Sequence, residues 1–138
     1  YFKKNRLEYY DRLMAVREKG DWEGWIKFFL KGVAVTADEA TSTVKEIIQL
    51  KSVCESKIVS SGYNAMYNIL LERIFMYPII TINDVVDLLK VSYPTAAKIV
   101  ENFCKSDILL DITPVQKRNK KYAFSTYMEI LNRGTELL

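Results

Sequence analysis

The sequence predicts a mainly α-helical protein with one small β-hairpin, and three observations support this. Apolar residues recur at helical spacing through most of the 138 residues. A Ser-Ser-Gly break at residues 60–62 separates two such stretches. Towards the C-terminal end, two short apolar runs flank a basic turn, as expected for a hairpin. We therefore predict a helical connector over residues 1–59 and a second domain over residues 60–138.

The connector is predicted to contain three helices. In the first, residues 3–19, the apolar residues Leu7, Tyr10 and Met14 follow the helical period. Gly20 is expected to end this helix, and Asp21 to cap the next one.

The second predicted helix is apolar on more than one side, with Trp22, Trp25 and Phe28 among its residues. Such a helix must be buried on several sides or expose an interaction surface. Thr36 and Glu39 have the spacing of a capping box and predict the start of a third helix, which continues to Ile58.

The second domain has the pattern of a helix-turn-helix followed by a hairpin. A helix over residues 64–77 is ended by Pro78, and Thr81 caps a short amphipathic helix that runs to Lys90. A tight turn at residues 91–92 leads to a second helix that starts at Pro94. The hairpin has its tip at residues 116–121, and a last helix over residues 126–132 is closed by Gly134. This is the pattern of a winged helix-turn-helix domain.

Composition excludes several kinds of site. The chain has no histidine and only two cysteines, Cys54 and Cys104, which are far apart, so we expect neither a metal site nor a catalytic imidazole. Both cysteines lie on apolar stripes, which favours buried thiols in a reducing cytoplasm. No apolar run approaches the roughly 20 residues of a membrane span, so we expect no membrane partner. Because the chain begins with Tyr1 rather than Met, we also expect it to be part of a longer protein.

The remaining candidate function is binding of double-stranded DNA. In a helix-turn-helix the second helix enters the major groove, and a basic hairpin (the wing) suits contacts with phosphates. The candidate residues on the second helix and its entrance are Ser92, Tyr93, Thr95, Lys98 and Asn102, and those of the wing are Lys117, Arg118, Lys120 and Lys121.

The same residues have plainer explanations. The helix residues could solvate a surface, and lysines are common on exposed hairpins. The second helix also has no arginine, which supplies the commonest specific contact with guanine. The wing is therefore the better candidate for DNA contact.

The first half of the chain resembles the end of a Fic-family protein, in the segment that directly follows the catalytic core. The residues that carry this resemblance are Tyr1-Phe2, Asn5-Arg6, Tyr9-Tyr10-Asp11-Arg12-Leu13, Val16-Arg17, Gly20-Asp21-Trp22, Trp25-Ile26 and residues 28–33, Phe-Phe-Leu-Lys-Gly-Val. The second half is similar to the winged helix at the C-terminus of many bacterial Fic proteins. There the matching residues are residues 81–89, Val91-Ser92, Thr95-Ala96, Arg118-Asn119 and Tyr122. Asp107 departs from the pattern, because winged helices often have glycine there.

The resemblance implies a parent enzyme that transfers AMP from ATP, with Mg²⁺, to hydroxyl side chains of target proteins. The family's motif is His-x-Phe-x-Asp/Glu-Gly-Asn-Gly-Arg, and this chain contains neither a histidine nor Gly-Asn-Gly. No catalytic residue is therefore carried over, and we expect the fragment to be inactive. Its aromatic first 33 residues would pack against the catalytic core of the same chain.

The leading hypothesis is a non-catalytic C-terminal fragment of a Fic-type protein adenylyltransferase, whose winged helix binds DNA or regulates the enzyme. The alternative is a winged helix used for protein interaction or homodimerisation without DNA. A free-standing transcription factor is a third interpretation, and an enzyme acting within these residues is the last.

Overall fold

The structure of the chain is a computed structural model that describes residues 1–62, 65–116 and 118–133. It is mainly helical with a small antiparallel sheet, so the predicted fold class is confirmed. The elements in chain order are α1 (Arg6–Lys19), α2 (Trp22–Ser60), α3 (Ala65–Met76), β1 (Ile79–Thr81), α4 (Ile82–Leu89), α5 (Tyr93–Lys105), β2 (Leu110–Asp111), β3 (Lys121–Ala123) and α6 (Ser125–Asn132).

The chain divides into two compact units, the N-terminal unit (residues 1–45) and the C-terminal unit (residues 46–138). The sequence predicts the boundary between the connector and the second domain after residue 59, at the Ser-Ser-Gly break. The structure places it earlier, inside α2, because Cys54 and Ile58 near the end of that helix are buried in the core of the C-terminal unit. The two units are described separately below.

The turn between α1 and α2 follows the predicted signals. Gly20 ends α1 in the left-handed conformation at φ 68°, where glycine has no Cβ penalty. The Gly24 backbone N–H donates to Asp21 Oδ1 over 2.9 Å, so Asp21 caps α2. The prediction that a third helix starts at Thr36 is wrong, because α2 is continuous through this residue. The Thr36 hydroxyl instead donates to the Gly32 carbonyl at 2.8 Å.

Aromatic rings join α1 to α2 in the N-terminal unit. The ring centroids of Phe2 and Phe28 are 5.7 Å apart, and those of Tyr9 and Trp25 are 5.3 Å apart. Gly32 permits this packing, because a Cβ there would lie 2.8 Å from the Phe2 ring. Phe28 is nevertheless the one large apolar side chain that is buried in this unit.

The C-terminal unit has the topology of a winged helix. Its strands form an antiparallel sheet in the order β1-β3-β2, with Ala123 paired to Ile79 on one side and to Leu110 on the other. Strand β1 was not predicted from the sequence. The fully buried side chains under this sheet and its helices include Leu70, Leu71, Ile74, Val85, Val100, Phe103 and Phe124.

The helix-turn-helix has the predicted cap and turn. Thr81 and Asp84 form a capping box at the start of α4, and Lys90 ends that helix in the left-handed region at φ 54°. Helix α5 starts at Tyr93, one residue earlier than predicted, with Ser92 at its N-cap. Asp107 also adopts a left-handed conformation, at φ 53°, which explains why glycine suits this position in related patterns.

Two predicted helix ends lie outside the described residues. Helix α6 covers the predicted last helix, whereas Gly134 lies outside the described residues, as does Asn64 at the predicted start of α3. Among the helices that the structure describes, none is long and apolar enough to cross a membrane.

Candidate nucleic-acid interface

The entrance of α5 presents hydroxyl groups to solvent. Ser92, Tyr93 and Thr95 are exposed, and the oxygens Ser92 Oγ and Thr95 Oγ1 are 2.9 Å apart. This contact fixes both side chains at the first turn of the helix. Each oxygen keeps a free lone pair, and the Tyr93 ring is 54% exposed, so all three residues can meet a ligand.

The basic residues of α5 are partly neutralised. Lys98 Nζ lies 3.2 Å from Glu101 Oε2, and Lys105 pairs with the other oxygen of the same carboxylate. The hydrogen bond from Lys105, with a second from Lys98, lowers the pKa of Glu101. Exposed pairs of this kind contribute little to stability, so a phosphate can take Lys98 from Glu101 at little cost.

Asn102 is held inside the unit and is not free for base contacts. We expected it to face solvent, but it is half-buried and its Nδ2 donates to the Tyr67 hydroxyl at 2.7 Å. Tyr67 in turn stacks on Phe103, with ring centroids 5.7 Å apart. Asn102 therefore connects α5 to α3.

The wing holds one of its lysines in an internal ion pair. Lys120 Nζ lies 2.7 Å from Asp111 Oδ2, and both side chains are about two-thirds or more removed from solvent. The hydrogen bond from Lys120, together with that from the Thr113 backbone N–H, lowers the pKa of Asp111. The same contact raises the pKa of Lys120. Lys120 therefore shapes the wing rather than extending from it.

Thr113 completes this scaffold. Its N–H donates to Asp111 Oδ1 at 2.9 Å, and its hydroxyl oxygen accepts from the Lys121 backbone N–H at 2.9 Å. The sequence analysis did not identify Asp111 or Thr113. The sequence signal for these two residues was an acidic residue and a threonine within ten residues of the basic hairpin tip.

The other basic wing residues differ in position. Arg118 and Lys121 are exposed, and neither forms an ion pair with the residues that the structure describes. Lys117, the remaining predicted contact, lies outside the described residues. Arg118 and Lys121 are thus the available charges.

A cleft of about 150 Å³ lies between the wing and the helix-turn-helix. It brings Tyr93 of the predicted set together with Lys120 and Lys121, and it adds two residues that the sequence analysis missed, Asn83 and Asn119. The remaining lining residues are Thr81 and Ile82. Asn119 has a left-handed conformation at φ 53°, which asparagine tolerates in turns, and its place in a basic turn was the available signal.

The cysteines offer no chemistry at this interface. Cys54 is buried and Cys104 half-buried, and burial raises the pKa of both thiols. Raised thiol pKa values make inert rather than nucleophilic groups. Within residues 1–62, 65–116 and 118–133, no cluster of three or more metal-ligating side chains occurs.

Comparison with models of known protein families finds no match, and comparison with curated proteins finds none either. We therefore infer a function from the geometry of the chain itself and from the resemblance described above.

Proposed function

We propose that the chain is a non-catalytic C-terminal part of a Fic-type protein adenylyltransferase, and that its C-terminal unit binds double-stranded DNA. The observation that carries DNA binding is the combination of two exposed groups in one winged helix. These are the hydroxyl residues at the start of α5 and the exposed charges of Arg118 and Lys121 on the wing. Hydroxyl and basic side chains supply most contacts with DNA phosphates and sugars.

The contacts favour binding that tolerates many base sequences. Helix α5 has no arginine, and Asn102 is already bonded to Tyr67. Lys98, the first basic residue within α5, is paired with Glu101. Phosphate contacts would then dominate, and affinity would fall steeply with salt.

The direct test is fluorescence anisotropy with a labelled mixed-sequence duplex at low and moderate salt. The variant Arg118→Ala/Lys121→Ala removes the two exposed charges and keeps the Lys120–Asp111 pair that shapes the wing. Its matched control is Lys27→Ala/Lys31→Ala, which removes two positive charges from the N-terminal unit. We expect the wing variant to lose most binding at moderate salt and the control to retain it. Equal binding by both variants would contradict the proposal.

The N-terminal unit exposes an apolar face, which we propose packs against a Fic-type catalytic core. On α1 this face contains Leu7, Tyr10 and Met14, and on α2 it contains Trp22, Ile26, Phe29 and Val33, all 46–83% exposed. The spacing of these residues puts each set on one side of its helix at 3.6 residues per turn. The opposite sides of both helices are polar, where Glu8, Arg12, Lys27 and Lys31 line a shared groove.

Several large apolar side chains exposed on one side of the same helices are typical of an interaction site. The family resemblance supplies the occupant, a catalytic core that would use ATP and Mg²⁺ to transfer AMP. The test is to read the coding sequence upstream of Tyr1. We expect the histidine-containing Fic motif there, and a different domain in that place would overturn the assignment.

The second candidate is a protein-interaction or homodimerisation module without DNA. It is favoured by exposed apolar residues beside the wing, where Leu110, Ile112 and Val115 are 58%, 42% and 95% exposed. Size-exclusion chromatography with light scattering at several concentrations discriminates the two. A mass that rises with concentration would favour self-association, whereas a strict monomer that binds DNA would count against it.

A further inference from the structure

We propose that the cleft between the wing and the helix-turn-helix holds one phosphate group of the DNA backbone, with Asn83, Tyr93 and Lys121 as its contacts. The inference deepens the proposed function and depends on it. It assigns a binding role to Asn83, and it gives Tyr93 a phosphate to contact rather than a base.

Sheet pairing brings the three parts of this cleft together. Thr81 of β1 pairs with Lys121 of β3, so the start of α4 lies beside the base of the wing. Tyr93, at the first position of α5, closes the cleft from the third side. Residues from positions 81–83, 93 and 119–121 therefore converge on one space.

The lining is rich in donors for an anionic oxygen. The Asn83 amide, the Tyr93 hydroxyl and the Lys121 ammonium can each donate a hydrogen bond. Backbone N–H groups in the first turn of a helix also lack a partner within it, which adds Ile82 and Asn83. The nearby carboxylate of Asp84 does not line the cleft, because it accepts from the Thr81 N–H at 2.7 Å and the Thr81 hydroxyl at 2.8 Å.

Charge and size limit the ligand. Lys120 is held by Asp111 at 2.7 Å, so Lys121 is the lysine of the cleft that remains without an ion pair among the described residues. The cleft of about 150 Å³ has room for several waters. That space suits one phosphate and its solvent. A contact there would fix the register of the start of α5 on the DNA backbone without reading bases.

The test uses the full chain, a labelled mixed-sequence duplex and a series of salt concentrations. Lys121→Ala and Asn83→Asp each lower the net charge by one, as does the control Lys19→Ala at the exposed end of α1. We expect Lys121→Ala to reduce the slope of log affinity against log salt by about one. Asn83→Asp should weaken binding severalfold on every duplex sequence, whereas Lys19→Ala should match the wild type. Tyr93→Phe, which removes only a hydroxyl, should weaken binding less than either.

Two outcomes overturn the inference in distinguishable ways. If the wild type binds DNA and the cleft variants bind like Lys19→Ala, the phosphate lies elsewhere while the proposed function stands. If the wild type does not bind duplex DNA even at low salt, the proposed function falls and this inference with it. A thermal unfolding curve of each variant establishes that lost binding is not lost folding.

Discussion

The C-terminal unit buries seventeen of the eighteen buried apolar side chains among the described residues, whereas the N-terminal unit buries only Phe28. The N-terminal unit is nearly as rich in apolar residues, and its apolar face contains Trp22, Ile26 and Phe29. The two units differ in whether their apolar side chains are buried or exposed. A core of its own stabilises residues 46–138, while residues 1–45 keep a large apolar surface that a partner can cover.

The largest expected effect compares one phenylalanine from each unit. Phe103 is 1% exposed and stacks on Tyr67, whereas Phe29 is 46% exposed. Phe103→Ala should lower the free energy of unfolding by about 3–5 kcal/mol, because it leaves a cavity in the core. Phe29→Ala should lower it by less than about 1 kcal/mol. Urea denaturation followed by circular dichroism measures both, and similar losses would remove the contrast between the units.

A second variant separates structure from recognition within the C-terminal unit. Asn102→Ala removes the 2.7 Å hydrogen bond to the Tyr67 hydroxyl, which should cost about 1 kcal/mol of unfolding free energy. Its affinity for duplex DNA should stay at the wild-type value. Unchanged stability with weakened DNA binding would instead make Asn102 a DNA contact, as the sequence alone suggested.

A smaller effect concerns pH and the wing. Lys120 and the Thr113 N–H lower the pKa of folded Asp111, so this carboxylate stabilises the fold above its unfolded pKa of about 3.9. That contribution is lost as pH falls through the lower, folded pKa. Asp111→Asn should therefore be less stable than the wild type at neutral pH, with the gap closing below about pH 4.

The matched control for this titration is Asp87→Asn, which removes an exposed carboxylate of α4. At neutral pH its free energy of unfolding should stay within about 0.5 kcal/mol of the wild type, as for most surface substitutions. A gap for Asp111→Asn that widens on acidification would contradict the pairing with Lys120.

Helix caps and helix ends whose partners lie a few residues away were predicted correctly from the sequence. Gly20, Asp21 and Thr81 each act within four residues of their partners, and each ends or caps a helix as expected. Thr36 was misinterpreted for a related reason. A threonine inside a helix that is already formed bonds back to the carbonyl four residues earlier, so its sequence spacing alone does not start a helix.

The features that could not be predicted depend on distant partners. Strand β1 has only three residues and exists through its pairing with β3, about forty residues later. Asn102 is occupied by Tyr67, which lies 35 positions away. The convergence of Asn83, Tyr93 and Lys121 likewise follows from the sheet register, which no local pattern reveals.

Hydrogen–deuterium exchange of the full chain, with and without a mixed-sequence duplex at low salt, is the most direct test of DNA binding by the C-terminal unit. We predict that DNA slows exchange at residues 82–83, 92–98 and 118–121, and leaves residues 1–33 unchanged. Slower exchange across the apolar face of residues 1–33, or no change at the wing and the start of α5, would contradict it.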